Sequence, residues 1–133
     1  MPFTDEELTR HLRVLEDNFW SHRRPPLHLR DKVREGQRIQ DRTIELFFVR
    51  PAFQRPGEWV EESIAKVQYM VHQGVWRIFW KRASGRWFRY QPCPEAPSLT
   101  EALHVIDSDP HGCFFGEPAF LTLPPYSRSA CGL

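Results

Sequence analysis

Residues 75–90 contain the side chains best suited to chemistry at a surface. The segment combines tryptophan and tyrosine rings with arginines and a lysine, and it contains no carboxylate. Sheets that hold single-stranded nucleic acid use this combination, because rings stack on base faces and Lys or Arg side chains bind phosphates. The same rings could instead form a hydrophobic core, since aromatic residues suit strands in general. The cations would then keep the other face solvated or pair with the acidic residues of segment 95–117.

The alternation of side chains along a strand decides which of these residues face outward. In the predicted strand 75–82, Trp76, Ile78 and Trp80 form the more apolar set, so we expect their face to be buried. Phe79 and the cations beside it then lie on the exposed face. The predicted nucleic-acid contacts are six phosphate-binding cations and two stacking rings: Arg23, Arg24, Arg77, Lys81, Arg86 and Arg89 for phosphates, and Phe79 and Trp87 for bases.

A second basic patch follows the first predicted helix. Its members are Arg23, Arg24, Arg30, Lys32, Arg34, Arg38 and Arg42. Arginine can bind phosphate with bidentate geometry, but these residues could equally pair with Asp31, Glu35 and Asp41 on a solvated surface. A binding role is favoured only if this patch shares a face with the cations of residues 75–90.

A cysteine nucleophile is the first of two catalytic hypotheses. Cys113 is close in sequence to His111 and follows a predicted helix that carries His104. A base beside a thiol is the arrangement that nucleophilic catalysis requires. However, Cys113 lies between a glycine and two phenylalanines, where a buried structural thiol is the ordinary outcome.

A metal-dependent nuclease is the second catalytic hypothesis. Such enzymes place a carboxylate and a Glu-x-Lys motif on neighbouring strands, which invites a comparison with Glu45, Glu61, Glu62 and Lys66. Lys66 is four residues after Glu62 and five after Glu61, so the spacing does not match. The histidines show no metal-binding spacing either. We therefore predict no catalytic residue, no metal and no cofactor, and we keep a hydrolase or nuclease as the weakest alternative.

The N-terminal residues predict a helix with a defined start and end. Thr4 and Glu7 form a capping box, in which each side chain satisfies a backbone amide at the helix start. A hydrophobic stripe with helical spacing follows at Leu8, Leu12, Leu15 and Phe19. Pro25 prevents the residue before it from adopting a helical conformation, so the helix ends by about Arg24.

Alternating apolar and polar residues then predict a sheet. The predicted strands are Gln37–Gln40, Thr43–Arg50, Ile64–Val71, Val75–Arg82 and Trp87–Gln91. Most of the connections between them are short turns, and a parallel crossover needs a dozen or more residues, so neighbouring strands must be antiparallel. The first two strands flank Asp41-Arg42 and form a hairpin.

A second capping box, Ser98 and Glu101, begins a short C-terminal helix that ends before Pro110. The predicted fold is therefore α+β: an N-terminal helix, an antiparallel four- or five-stranded sheet, and a short C-terminal helix on one face. We expect one domain over residues 1–116. Residues 117–133, rich in proline and serine, are predicted to be a peripheral or flexible tail.

Composition limits the possible classes of protein. With 133 residues and a formal net charge of +1, the chain can form one soluble domain but is not a uniformly basic nucleic-acid binder. The odd number of cysteines weighs against a disulfide framework. The acidic start MPFTDEELTR resembles no secretory signal, and no apolar run is long enough to cross a bilayer. We therefore expect a cytoplasmic protein without a membrane partner.

A set of short motifs occurs in a recognisable order along residues 8–116. The motifs are Arg23-Arg24-Pro25-Pro26, residues 45–51 (ELFFVRP), Ala65-Lys66 with Tyr69, the run from Trp76 to Tyr90, and residues 112–116 (GCFFG). Together they resemble a family of short bacterial proteins known as domain of unknown function number three thousand and twenty-four. The resemblance implies a bacterial, single-domain protein and implies no activity, cofactor or catalytic residue.

The sequence thus predicts a small bacterial binding domain and favours a non-enzymatic role over an enzymatic one. Its expected partner is single-stranded nucleic acid, bound by the aromatic and cationic hairpin of residues 75–90. The alternative is a protein-interaction or homodimerisation module that uses the same hairpin. One continuous positive face would favour nucleic acid, and cations paired with segment 95–117 would favour protein interaction.

Overall fold

A helical segment at each end of the described chain flanks an antiparallel sheet. The computed structural model describes residues 2–52 and 54–115. The helices are α1 (Asp5–Leu15), which continues through a π-helical turn (Glu16–Trp20) into α2 (Ser21–Arg23), a 3₁₀ turn (Leu27–Leu29), and α3 (Leu99–Ser108). The strands are β1 (Arg34–Gln40), β2 (Thr43–Pro51), β3 (Trp59–Met70), β4 (Val75–Lys81), β5 (Trp87–Arg89) and β6 (Glu95–Ala96). The predicted α+β fold is confirmed, and the predicted tail, 117–133, lies outside the described residues.

The N-terminal capping box forms as predicted. The Thr4 hydroxyl accepts a hydrogen bond from the Glu7 amide (3.1 Å), and Glu7 Oε1 accepts one from the Thr4 amide (2.8 Å). The hydrophobic stripe buries Leu15 and Phe19 completely, but Leu12 remains 42% exposed. Leu12 therefore lies at the margin of the helix–sheet contact.

The strands follow one another across the sheet in the order β1-β2-β3-β4-β5, and β6 pairs with the other part of β4. Every pairing is antiparallel, as the short connections required. The predicted hairpin between β1 and β2 is present, and Asp41 adopts the positive φ of 54° that a tight two-residue turn favours.

A β-bulge interrupts the pairing of β2 with β3. Leu46 pairs with Ala65 and Phe47 with Ser63, so Ile64 is an extra residue in β3. Because side chains alternate along a strand, the extra residue changes the parity of all positions before it. Glu61 and Ser63 consequently project from the same face as Lys66.

The two faces of the sheet differ in burial. On the helix side, Ile44, Leu46, Val67 and Ile78 are fully buried, and Trp76 is 4% exposed. The helices cover this side, with the buried face of α3 packed on β4 and β6. The predicted orientation of β4, with its apolar face inward, is therefore confirmed.

Trp80 is less buried than the sequence suggested. It lies on the helix side but is only partly covered, and the guanidinium of Arg82 lies 5.2 Å from its ring centroid. Trp76 instead forms the aromatic centre of this region, in contact with Phe3 and Tyr69. On the other face of β4, Phe79 is partly exposed, as predicted.

The two cysteines among the described residues are in different states. Cys93 is buried and disulfide-bonded, although the odd number of cysteines weighed against a disulfide framework. Cys113 is a free thiol. None of the helices in residues 2–52 and 54–115 is long and apolar enough to span a membrane.

Candidate nucleic-acid interface

The side of the sheet opposite the helices, here called the outer face, carries the aromatic and charged side chains. Strand pairing assigns its central members by register: Glu45 of β2 is opposite Lys66 of β3, Lys66 is opposite Phe79 of β4, and Phe79 is opposite Arg89 of β5. Trp87 is likewise opposite Lys81. Among the described residues, no helix packs on this face.

Two rings and two lysines form the centre of the outer face. Lys66 Nζ lies 4.7 Å from the ring centroid of Trp87 and 5.2 Å from that of Phe79. Lys81 Nζ lies 5.4 Å from the centroid of Trp87. Both rings are half-buried, so each retains exposed edge or face area while a cation lies against it. We call Lys66, Phe79, Lys81 and Trp87 the central cluster.

The two lysines of the central cluster differ in their surroundings: Lys66 is partly buried, and Lys81 is hydrogen-bonded. Desolvation lowers the pKa of Lys66, and Lys81 lowers it further, whereas the Glu45 carboxylate opposes the shift. Lys81 Nζ donates a hydrogen bond to Ser63 Oγ (3.4 Å), which donates one to Glu45 Oε2 (3.2 Å). Neither lysine forms an ion pair with a carboxylate within the described part of the chain.

A concavity opens beside the central cluster. Its volume is about 300 Å³, and its lining is mostly polar: Arg38, Gln40, Asp41, Thr43, Glu45, Lys66 and Trp87. It combines an aromatic wall with hydrogen-bond donors and acceptors.

Two of the predicted phosphate ligands already have an acidic partner. Arg77 Nε lies 3.7 Å and Arg89 Nη2 lies 3.3 Å from the same oxygen, Glu95 Oε2. Both arginines occupy the outer face beside the central cluster. Their charge is partly neutralised, so they are weaker phosphate ligands than the sequence suggested. Arg86 is exposed in the turn before β5 and forms no ion pair with another described residue.

Arg23 lies on the helix side of the sheet, away from the outer face. Its Nε donates to Asp107 Oδ1 (2.6 Å), its Nη2 donates to the Asp107 carbonyl (2.8 Å), and its guanidinium lies 3.8 Å from the ring centroid of Phe115. These contacts join α2 to α3. Arg23 is therefore placed as a structural residue.

Arg24 has the same kind of structural role. It binds the carboxylates of Glu16 and Glu35, which joins the end of the N-terminal helix to the start of β1. A binding role of the basic patch required that it share a face with the cations of residues 75–90. Arg23 and Arg24 do not meet this condition. Arg38 does reach the outer face, where it binds Glu45 and Glu61.

The bulge changes the argument about a nuclease site. Glu45, Glu61 and Lys66 do share one face, although a regular strand would place Glu61 and Lys66, five residues apart, on opposite faces. However, Arg38 binds both acids: its Nη1 lies 3.0 Å from Glu45 Oε1 and its Nη2 lies 2.7 Å from Glu61 Oε2. No group of three or more potential metal ligands is present among the described residues. The two carboxylates therefore bind an arginine side chain and do not form a metal-binding site.

The cysteine hypothesis also loses support. Desolvation raises the pKa of the Cys113 thiol, and the Asp109 carboxylate raises it further. A nucleophilic cysteine needs a lowered pKa. The ring of His111 faces Tyr90, with centroids 6.5 Å apart, and no hydrogen bond joins His111 to Cys113 within the described chain.

Sequence reasoning missed three contributors to the outer face. Lys66 was considered only for catalysis, and Phe47 and Arg38 were not assigned to this site. Phe47 is 8% exposed because the Arg38 guanidinium lies 4.8 Å from its centroid and because Gly36 leaves room for the ring; a Cβ at Gly36 would clash with it. The alternation of apolar residues with Lys66 and Gln68 along β3 could have predicted that Lys66 lies on the outer face, once the pairing of β3 with its neighbours was known.

Comparison with known proteins gives one match. The profile of a family described as a domain of unknown function (DUF3024) matches residues 4–116. No curated protein and no solved structure matches the chain.

Proposed function

Because the chain belongs to the DUF3024 family, whose description assigns no activity, we propose a function from the chemistry of the outer face: the domain binds single-stranded nucleic acid there. One observation carries this proposal: two half-buried rings and two lysines that form no ion pair with a described carboxylate lie on a sheet face that no described helix covers. The proposed setting is the cytoplasm of a bacterium.

The residues of the central cluster have complementary roles in this proposal. Phe79 and Trp87 stack on bases, which contributes about 1–3 kcal/mol per stacked base in proteins of this kind. Lys81, which is exposed, binds phosphate. Lys66 is partly desolvated, so it positions the Trp87 ring and contributes charge close to it. Arg86 lies in the turn beside β5 and extends the positive charge beyond the sheet.

Titration of fluorescently labelled single-stranded DNA and RNA, followed by anisotropy at several salt concentrations, tests the proposal. We expect binding that weakens steeply with salt, since each neutralised phosphate releases counterions. Lys81→Glu should weaken binding and lower the slope of log affinity against log salt by about 0.7 or more. Trp87→Ala should weaken binding at every salt concentration with little change in that slope, because it removes stacking and no charge.

Arg10→Glu is the matched control for charge reversal, because Arg10 is exposed on α1, on the helix side of the sheet. It changes the net charge as Lys81→Glu does and should leave affinity nearly unchanged. Equal losses for the two reversals would reveal non-specific attraction and contradict a site on the outer face. Absence of binding to both DNA and RNA at low salt would reject the function itself.

A protein-interaction role is the second candidate, and one observation favours it. Arg77 and Arg89 pair with Glu95, and Arg23 pairs with Asp107, so several cations are matched to acids of segment 95–117. A surface whose charges are internally paired suits a protein partner, which needs complementarity more than net positive charge. Capture of a protein partner that survives nuclease treatment and is lost in Trp87→Ala would support this candidate over nucleic acid.

A further inference from the structure

Among the described residues, the strand β1 forms an open edge of the sheet. It is the terminal strand in the order, and it is seven residues long. Gln40 and Thr43 flank a two-residue turn, so they exchange backbone hydrogen bonds between β1 and β2. Counting away from the turn, every second residue pair of the two strands does the same. The amide and carbonyl groups of the intervening residues, Glu35, Gln37 and Ile39, therefore point away from the sheet, and they form no backbone–backbone hydrogen bond within the described chain.

An apolar groove runs beside this edge on the helix side. Its volume is about 380 Å³, and its lining comes from the N-terminal segment, α1 and β1: Pro2, Phe3, Leu8, Leu12, Gln37, Ile39 and Asp41. Leu12 is 42% exposed at this groove. An open strand edge and adjacent apolar side chains together provide what an added strand requires, since the edge supplies hydrogen bonds and the groove supplies burial.

The central side chains of β1 are bound within their own chain and do not cover the edge of the strand. Trp20 Nε1 donates a hydrogen bond to Gln37 Oε1 (2.9 Å), which fixes Gln37 toward the helix layer. Arg38 is bound by Glu45 and Glu61 across the neighbouring strands, so its charge lies over the sheet. Proteins commonly protect an open edge with a proline, a bulge or a projecting charge. The strand contains no proline, its pairing with β2 is regular, and its central charge is turned inward.

We propose that β1 pairs antiparallel with β1 of a second copy of this chain, about a two-fold axis at Gln37. This register gives the full overlap of the strand, with Gln37 opposite Gln37, Glu35 opposite Ile39, and Arg34 opposite Gln40. The three outward-pointing residues then exchange about six backbone hydrogen bonds with the second copy. The two sheets join into one, and the two apolar grooves lie side by side with Leu12 of both copies toward the interface.

The strand is complementary to itself in this register, which identifies a second copy as the occupant. Gly36, which carries no side chain and no charge, lies opposite Arg38 of the second copy, so no like charges face each other directly. Arg34 at one end of the strand comes next to Asp41 of the second copy at the other end, and symmetry repeats the pair. A foreign peptide would gain the hydrogen bonds but not this repeated match of charges.

Sedimentation of the full chain over a wide range of concentrations tests the proposal. We expect a reversible dimer whose dissociation constant rises at least about ten-fold in Leu12→Asp, because a charge enters the apolar groove. The matched control is Val71→Asp, since Val71 is 53% exposed in the turn between β3 and β4. Circular dichroism confirms that both variants fold. A chain that is monomeric at every concentration, or a dimer unaffected by Leu12→Asp, would overturn the proposal.

A cross-link tests the register independently of any folding defect in Leu12→Asp. In a Cys113→Ser background, the double variant Arg34→Cys/Gln40→Cys places two new thiols opposite each other at both ends of the interface, within the Cα separation that a disulfide needs. We expect a covalent dimer under mild oxidation. The single variant Arg34→Cys is the control, because its two copies lie at opposite ends of the paired strands. A dimer that the double variant does not cross-link would reject pairing through β1.

Discussion

Tyr90 places its hydroxyl in the core without a hydrogen-bond partner. The residue is fully buried, its ring packs 4.8 Å from that of Phe114, and its Oη has no partner among the described residues. Desolvation, with contributions from Cys113 and Asp109, raises the pKa of Tyr90 to about 12. A buried polar atom of this kind costs about 1–3 kcal/mol.

Removal of this hydroxyl should therefore not destabilise the protein. We expect Tyr90→Phe to leave the free energy of unfolding unchanged or to raise it by about 1 kcal/mol. Because the folded pKa exceeds the ordinary tyrosine value of about 10, the unfolded chain loses the proton first, and stability falls as pH rises from about 10 toward 12. The variant should lose less stability over this range.

Urea unfolding at several alkaline pH values measures both effects. The control is Tyr69→Phe, because Tyr69 is partly buried at the surface of the core. A loss of more than about 1 kcal/mol in Tyr90→Phe at neutral pH would show that the hydroxyl has a partner after all.

At the scale of elements, Arg24 connects the helical layer to the sheet. Its guanidinium binds Glu16 in the π-helical turn and Glu35 in β1. The hydrogen bond from Arg24 lowers the pKa of Glu16. For Glu35, desolvation acts to raise the pKa, but the hydrogen bond from Arg24 and the charges of Arg24 and Arg30 outweigh it and lower the pKa. Both carboxylates therefore stabilise the fold when ionised.

Arg24→Met should destabilise the protein by about 1 kcal/mol at neutral pH, since the ion pairs are partly exposed. The lowered pKa values give stability that is present above the unfolded value of about 4.3 and is lost as pH falls through the folded values. Acid unfolding followed by circular dichroism should thus be less steep below pH of about 4 in Arg24→Met.

The control for this prediction is Arg55→Met, because Arg55 pairs with Glu58 in an exposed loop. It should change neither the stability at neutral pH nor the acid transition appreciably. Identical acid transitions in the wild type and Arg24→Met would contradict a connecting role for this arginine.

Local signals predicted most of the elements and part of the candidate site. The capping box at Thr4, the N-cap at Ser98 and the alternation along β4 each depend on neighbouring residues, so they could be predicted from the sequence, although at Ser98 only the serine half of the predicted box forms. The bulge at Ile64 could not, because no glycine or proline marks it and it arises from the pairing of two strands. The role of Arg23 was missed for the same reason, since its partner Asp107 is 84 residues away.

At the scale of the whole molecule, the elements from α1 to α3 form one hydrophobic core. Its members extend from Phe3 to Phe114, and the family match ends at residue 116. We therefore expect a chain that ends at Gly116 to fold cooperatively. Urea unfolding of this shortened chain and the full chain, both with reductant so that the disulfide at Cys93 is absent, should give similar slopes against denaturant. A non-cooperative transition in the shortened chain would place part of the domain beyond residue 116.

The bulge at Ile64 also determines the shape of the outer face. A bulge bends its strand and increases the local right-handed twist. The aromatic and charged residues of β3, β4 and β5 therefore lie on a curved surface. A rigid, straight ligand such as a nucleic-acid duplex would contact only part of this curved surface, whereas a flexible single strand can follow it. If the outer face has the proposed function, the extra residue in β3 suits it to a flexible ligand, independently of any individual contact.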